Sequence, residues 1–487
     1  MQPFDLVIRG GTVATASDSF KADVGIRGTT IAAIGEGLDK GKREIDARGK
    51  LVLPGGVDAH GHIEQLSASG LMNADTFQSA TTAAAFGGTT TVISFAAQHV
   101  EMSLKTVVDE YHQYAERGAV VDYAFHMILA DPREEVLAKE VPPLVQAGHA
   151  SLKVFMTYDR LKVDDEQLLN VLQSARDNRA MVCVHAENHG MISWMGKRLV
   201  KHGYTAPKYH SISHPRVCEP EAFTRLIACA ALVDQPIMIF HVSTAEGAAV
   251  IRKARGEGLK VFAETCPQYL FMIKKDLDKP GLEGGKWMFS PPAREASDQE
   301  ALWQALALGD LQVISSDHAP YAYDKTGKLV AGKTSTFKQI PNGMPGLEAR
   351  LPVVFDEMVS NGRFDVSKFV QWTSTEPAKI YGLYPKKGTL AIGSDADIAI
   401  WDPKKRVTFS DKTVKDRAGY TPWKGRTVKG WPTTVLLRGE VLVENEKLRA
   451  KPGSGQFLAR KAGKAAEPLG RATLEFDPKR NFGAKLR

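Results

Sequence analysis

The sequence predicts an α/β protein: a (β/α)8 barrel over residues 54–384, with a small β-sandwich domain built from both chain ends, 1–53 plus 385–446. Three observations carry this expectation. The middle of the chain alternates near-continuous apolar runs with segments of helical period. Both ends instead show short strand patterns punctuated by turn residues. Residues able to bind a metal fall where the apolar runs stop.

The end strands come first. Phe4–Arg9, Thr12–Thr15, Val24–Ile26 and Thr30–Ile34 are punctuated by turn residues, and Asp397–Trp401, Thr433–Leu437 and Val441–Val443 form a matching set near the other end. Either set alone would expose long sheet edges, so the two are expected to join. In the middle, Leu51–Leu53 leads into His60 as the first barrel strand. Thr89–Phe95, Tyr123–Leu129, Ser151–Met156, Met181–His185, Ile237–Val242, Lys260–Glu264 and Gln312–Asp317 follow. Helices are expected between them, at Asp165–Arg179 with Leu168, Leu169, Leu172 and Ala175 on one face, at Glu219–Val233 and at Asp298–Leu308.

Composition bounds the function. Hydrophobic content of 43% and charged content of 24% are ordinary for a globular protein. No apolar run approaches the roughly 18 residues of a membrane span. The start lacks the basic-then-apolar order of a signal peptide. Four cysteines show no C-x-x-C spacing, so a cytoplasmic protein with reduced thiols is expected. The net charge of +7 does not imply a nucleic-acid partner. Lys447–Arg487 holds 11 Lys/Arg against 3 Asp/Glu, and the rest of the chain holds 52 against 53. The excess lies in a basic tail, 447–487, where aromatic residues are sparse.

In a barrel of this kind the working face lies at the C-terminal strand ends. His60 and His62 stand two residues apart, so extended backbone points both the same way. His185 ends the fifth strand, His241 the sixth and Asp317 the eighth. Four imidazoles and a carboxylate on one rim are hard to explain as packing. Lys153, inside the apolar run Leu152–Phe155, would bury an uncompensated charge. It either snorkels to water or loses its proton and adds carbon dioxide. The resulting carbamate is an anion whose two oxygens can bridge two metal ions. His189 and His318 neighbour these residues in sequence and are candidates for orienting them; His99 is a candidate pocket residue.

Several segments resemble the dihydropyrimidinase/D-hydantoinase family of cyclic amidohydrolases. They are Pro54–Glu64, Ser151–Tyr158, Val184–Asn188, His241–Ser243, Ser290–Arg294, Ser316–Pro320 and Ile340–Gly346, and the resemblance runs to about residue 445. It implies that His60, His62 and Asp317 hold one divalent ion and that His185 and His241 hold a second. Lys153, as N6-carboxylysine, would bridge both. Zinc is the family's usual ion, and the ligand set also suits Mn, Co or Ni. The implied activity is metal-hydroxide attack on a cyclic amide carbonyl, opening the ring of a dihydropyrimidine, a 5-substituted hydantoin or a related imide or ureide. Asp317 would act as general base and then acid, and Tyr158 would stabilise the oxyanion. Main-chain groups at Ser290 and Asn342 would hold the ring's amide edges. The resemblance further implies a homotetramer or homodimer, whose C-terminal tail reaches a neighbouring subunit through Phe457, Leu458, Leu474, Phe476 and Phe482.

One segment departs from the family pattern. Many members read D-P-H-T-H followed by a Pro/Gly-rich turn; here Asp58–His62 is followed by Gln65–Asn73 of different composition. The metal residues match while this part of the substrate pocket does not, so the ring acted on stays open. Dihydroorotase shares the architecture but usually has an arginine soon after H-x-H, where this chain has Glu64. Allantoinase remains an alternative. A non-enzymatic scaffold of the collapsin-response-mediator type would lack the ligands, and all six ligand positions are present here.

Overall fold

The computed structural model describes residues 3–67, 70–471 and 473–486. Ala68 and Ser69, within the divergent segment, lie outside the described residues. Among the described residues, seventeen strands form two sheets. The terminal sheet contains β1 (Phe4–Ala14), β2 (Ser19–Arg27), β3 (Thr30–Gly35), β4 (Gly41–Asp46) and β5 (Leu51–Pro54). The barrel contains β6 (Gly56–Gly61), β7 (Thr89–Ala97), β8 (Asp122–Ile128), β9 (Ser151–Phe155), β10 (Met181–His185), β11 (Ile237–Ile239), β12 (Val261–Thr265) and β13 (Val313–Ile314). The chain then returns to the terminal sheet with β14 (Ile398–Thr408), β15 (Thr427–Leu437), β16 (Glu440–Glu444) and β17 (Lys447–Leu448).

β6 to β13 lie side by side in chain order and pair in parallel, as successive βα units require. The ring closes through a parallel bridge between Gly61 and His318, with the His62 amide donating to the His318 carbonyl at 2.7 Å. The expected helices are present at Asp165–Asn178, Cys218–Val233 and Ala296–Leu308. The first is bounded by chemistry visible in the sequence. Asp164 caps its start reciprocally with Gln167, and Arg179 turns left-handed at its end.

The first strand needs correction. Leu51–Leu53 was expected to lead into His60 as the opening barrel strand. It belongs instead to β5, which pairs with β1 on one side and β14 on the other and so joins the two chain ends into one nine-stranded mixed sheet. The histidines ride on a separate strand, β6. Gly55 makes the break: a Cβ there would stand 2.1 Å from Thr90 Oγ1. Leu6, Ile8, Val24, Ile31, Val52, Ile398 and Leu436 form a core of their own, apart from the barrel's. Lys387, fully buried, ties the sheet to the barrel by pairing with Asp122 at the start of β8 and with Asp395 and Asp397.

Residues 455–471 run across the N-terminal face of the barrel. Tyr123 exchanges main-chain bonds with Gln456 and Leu458, the Arg460 amide donates to the Gly148 carbonyl, and Asp234 accepts from the amides of Leu469, Gly470 and Arg471. Leu458 is buried and Phe457 and Phe476 are partly buried against the core, while Leu474 and Phe482 are exposed.

Arg350 holds the barrel seam. It is 0% exposed and donates to the carbonyls of Val57 and Ile314 and to Thr89 Oγ1, and its Nε lies 3.4 Å from Asp58 Oδ2. Arg350→Met would strand Asp58 as an unpaired buried charge, so equilibrium urea unfolding is expected to show a loss of about 3–5 kcal/mol.

Candidate metal centre and active site

The histidine and aspartate candidates stand at the rim where their strands stop, and Lys153 lies within its strand. His60 is the penultimate residue of β6, with His62 just beyond; Lys153 lies in β9 and His185 ends β10. β11 and β13 are shorter than their apolar runs predict. The backbone turns left-handed at His241 (φ 40°) and Asp317 (φ 49°), and again at Tyr158 (φ 74°). Non-glycine residues adopt that region at a cost, and here three of them stand at the rim. The turn directs side chains inward that a continuing strand would place on alternate faces.

The predicted residues converge. Ligand atoms of His60, His62 and Asp317 lie within 4.8 Å of one another. Asp317 Oδ1 is 3.1 Å from His60 Nε2 and 3.5 Å from His62 Nε2. The rings of His185 and His241 meet edge to face with centroids 4.3 Å apart, and His241 is 5.5 Å from His60. Burial keeps His185 and His241 neutral by lowering their pKa values, which leaves their nitrogens as ligands. Burial also disfavours charge on His60, but Glu264 and Asp317 outweigh it and raise its pKa to about 9. Despite burial, His60 and His62 hold Asp317 well below the ordinary carboxylate range. This cluster of carboxylates and imidazoles attracts positive charge, which a divalent ion would supply.

Lys153 gives the fit a direct test. It is 0% exposed, and Nζ has no hydrogen-bond partner among the described residues. Aromatic rings flank it: Nζ stands 4.0 Å from the centroid of Phe240 and 4.7 Å from that of Phe155. Burial brings its pKa down to about 7. An amine in that state is a nucleophile at neutral pH, and its carbamate would need the cations its neighbours are arranged to hold. The donor set therefore fits two divalent ions.

Three supporting residues were given no role by sequence reasoning. Glu264, at the fourth position of β12, contacts His60 Nδ1 and accepts from Ser315 Oγ at 2.6 Å. Gln65 Oε1 accepts from His62 Nδ1 at 2.7 Å. Glu187 accepts from His185 Nε2 and His214 Nδ1, both at 2.8 Å, so His185 turns Nδ1 away from it. Such partners fix the tautomer and orientation of a ligand histidine. Glu264 carried the same signal as Lys153, a charged residue in an apolar barrel strand. Gln65 lies in the divergent segment, where no pattern pointed to it.

A cavity of about 620 Å³ opens over these residues, and Tyr158, Ser290 and Asn342 line it. Burial raises the Tyr158 pKa, so its hydroxyl remains a proton donor. Gly343 lets the Asn342 loop lie against Ala319: its φ is 136°, and a Cβ would meet the Ala319 carbonyl oxygen at 2.3 Å. Apolar Leu161, Ile192, Phe337 and Ile340 line the cavity, as do polar Gln65, Ser67 and Asn73. His189 lines the cavity and pairs with Asp159, while His318 bonds Asp75 and closes the barrel. His99 is not among the lining residues.

The chain matches the Amidohydrolase family over residues 51–442. It is 40% identical to the D-hydantoinase of Ralstonia pickettii over 458 residues, 94% of this chain and 99% of the relative. It belongs to the dihydropyrimidinase/D-hydantoinase family of cyclic amidohydrolases. The dihydropyrimidinase from Brevibacillus agri NCHU1002 superposes with a TM-score of 0.91 at 40% identity, covering 94% of this chain and 99% of that one. The L-hydantoinase from Arthrobacter aurescens superposes with a TM-score of 0.85 at 28% identity, covering 94% and 100%. The enzyme thus resembles relatives named for opposite handedness. No helix among the described residues is long and apolar enough to cross a membrane.

Glu264→Gln keeps the hydrogen-bonding shape beside His60 and removes a charge. Chelator competition is expected to show divalent-ion affinity falling about 10–100-fold.

Proposed function

We propose that the enzyme opens the ring of a dihydropyrimidine, a 5-substituted hydantoin or a related cyclic imide or ureide, using two divalent ions and a carboxylated Lys153. The observation that carries this reading is the unpartnered, fully buried Lys153 amine amid four imidazoles and Asp317. A scaffold without catalysis would have no use for that arrangement. His60, His62 and Asp317 would hold one ion, His185 and His241 the other, and the Lys153 carbamate both. Zinc suits these ligands best, and Mn, Co or Ni also fit. When bound, the ions supply activated water and a Lewis acid for the carbonyl oxygen at neutral pH.

The chain's own groups do the rest. Asp317 takes the proton of the attacking water and later delivers it to the leaving ring nitrogen. The Tyr158 hydroxyl donates to the carbonyl oxygen as negative charge builds there. Main-chain groups at Ser290 and Asn342 hold the ring's amide edges, which selects a ring over a linear amide. The apolar residues of the cavity lining accommodate a ring substituent.

The division into a terminal β domain, barrel and basic tail, a cytoplasmic setting and a homotetrameric or homodimeric assembly belong to the same reading. Unpaired cysteines support the setting. Exposed Trp194, Val200, Tyr204, Ile212 and Val217 between the fifth and sixth barrel strands support an assembly.

Lys153→Ala tests the function. Bound metal is expected to be largely lost, and activity on a panel of dihydrouracil, substituted hydantoins, allantoin and cyclic imides to fall by more than the roughly 10–100-fold cost of losing an outer partner. Full activity with normal metal content would end this mechanism. The amine reacts only when neutral, and its neutral fraction grows as pH rises through about 7. Reconstitution of metal-free protein with bicarbonate and Zn2+ is therefore expected to accelerate through that pH and to stall below it.

A further inference from the structure

The barrel interior below the proposed metal centre contains a second polar system with no role in ring opening. Arg460, from the tail that crosses the N-terminal face, is 2% exposed and points into the barrel. Its Nη2 donates to the Phe125 carbonyl and, at 2.9 Å, to Ser151 Oγ. Ser151 Oγ lies 2.7 Å from His126 Nδ1, and His126 Nε2 lies 2.9 Å from the Ala59 carbonyl oxygen. A carbonyl can only accept, so His126 carries its proton on Nε2 and donates it there. Nδ1 must then accept from the Ser151 hydroxyl, whose oxygen is left to accept from Arg460. The directions agree at every link, and each bond polarises the next.

The two ends of this chain of bonds are informative. Ala59 immediately precedes His60. Ser151 precedes Lys153 by two residues on β9, so both side chains enter the barrel on the same face. Burial and the Arg460 charge both lower the His126 pKa, which keeps the ring neutral, while the Ala59 carbonyl selects its tautomer.

We propose that Arg460 is a positioning residue for the metal centre: through Ser151 and His126 it fixes the ends of β6 and β9, so that the C-terminal tail completes the site from beneath. Such a tail acts on its own chain, whatever contact it also makes with a neighbour. The proposal rests on the metal-dependent reading above.

The test is Zn2+ affinity by chelator competition on the full-length protein. Ser151→Ala cuts the relay in the middle with a minimal change of volume, and Arg460→Met removes its charged end. Lys260→Ala is the control: it releases a different tail contact, to the carbonyls of Lys464 and Glu467, without touching the relay. Dissociation constants are expected to rise about tenfold in the first two variants and to stay within twofold of wild type in the control. Guanidinium ion is expected to restore affinity to Arg460→Ala, an effect that general loosening would not produce. Wild-type affinity in Ser151→Ala overturns the proposal, and that variant decides alone if the arginine variants fail to fold. A wild-type protein that binds no divalent ion defeats the metal reading itself, whereas normal binding by wild type and Ser151→Ala alike defeats only the relay.

Discussion

A single constraint shapes this barrel: an amine that burial drives toward its neutral form where it lies. Lys153 is buried among Phe95, Phe155 and Phe240, with no acceptor for its protons among the described residues. An ammonium in that environment is costly, and a neutral amine alone would leave the carboxylates around it without a cation. A carbamate held by two ions would resolve both problems. The buried carboxylates Glu264, Glu187 and Asp317, each against an imidazole, make sense once positive charge is placed between them.

The architecture serves that charge arrangement. Parallel strands bring their C-terminal ends to one rim, and left-handed turns at His241 and Asp317 direct side chains inward beyond the ends of β11 and β13. The seam between first and last strands is weak in regular pairing, since β13 is only two residues long. Arg350 and the Gly61–His318 bridge compensate for it directly beside His60, His62 and Asp317. Closure of the fold and assembly of the site are therefore one structural event.

Much of this was legible from the residues alone. Parallel strands buried on both faces read as apolar runs, and a charged or imidazole side chain at the end of one stands out against that background. Lys153, His185 and Asp317 were visible for this reason. Glu264 had the same signature but no partner in sequence to give it meaning. β5 was misassigned because a run of three apolar residues does not reveal which sheet it joins; Gly55, whose need arises from Thr90 on the neighbouring strand β7, marks the break only in three dimensions. Gln65 was missed because it lies in the divergent segment, where nothing marks it although His62 is only three residues away, and Arg460 because it meets β9 some three hundred positions earlier in the chain.

The family relationship gives the chemistry its class, and the carbamate is the point on which the account turns. The most direct measurement is 13C NMR of protein reconstituted with 13C-bicarbonate and Zn2+, read beside metal content. One carbamate resonance and two ions per chain in the wild type, with the resonance absent from Lys153→Ala, is the predicted result. Two bound ions with no carbamate signal would contradict it.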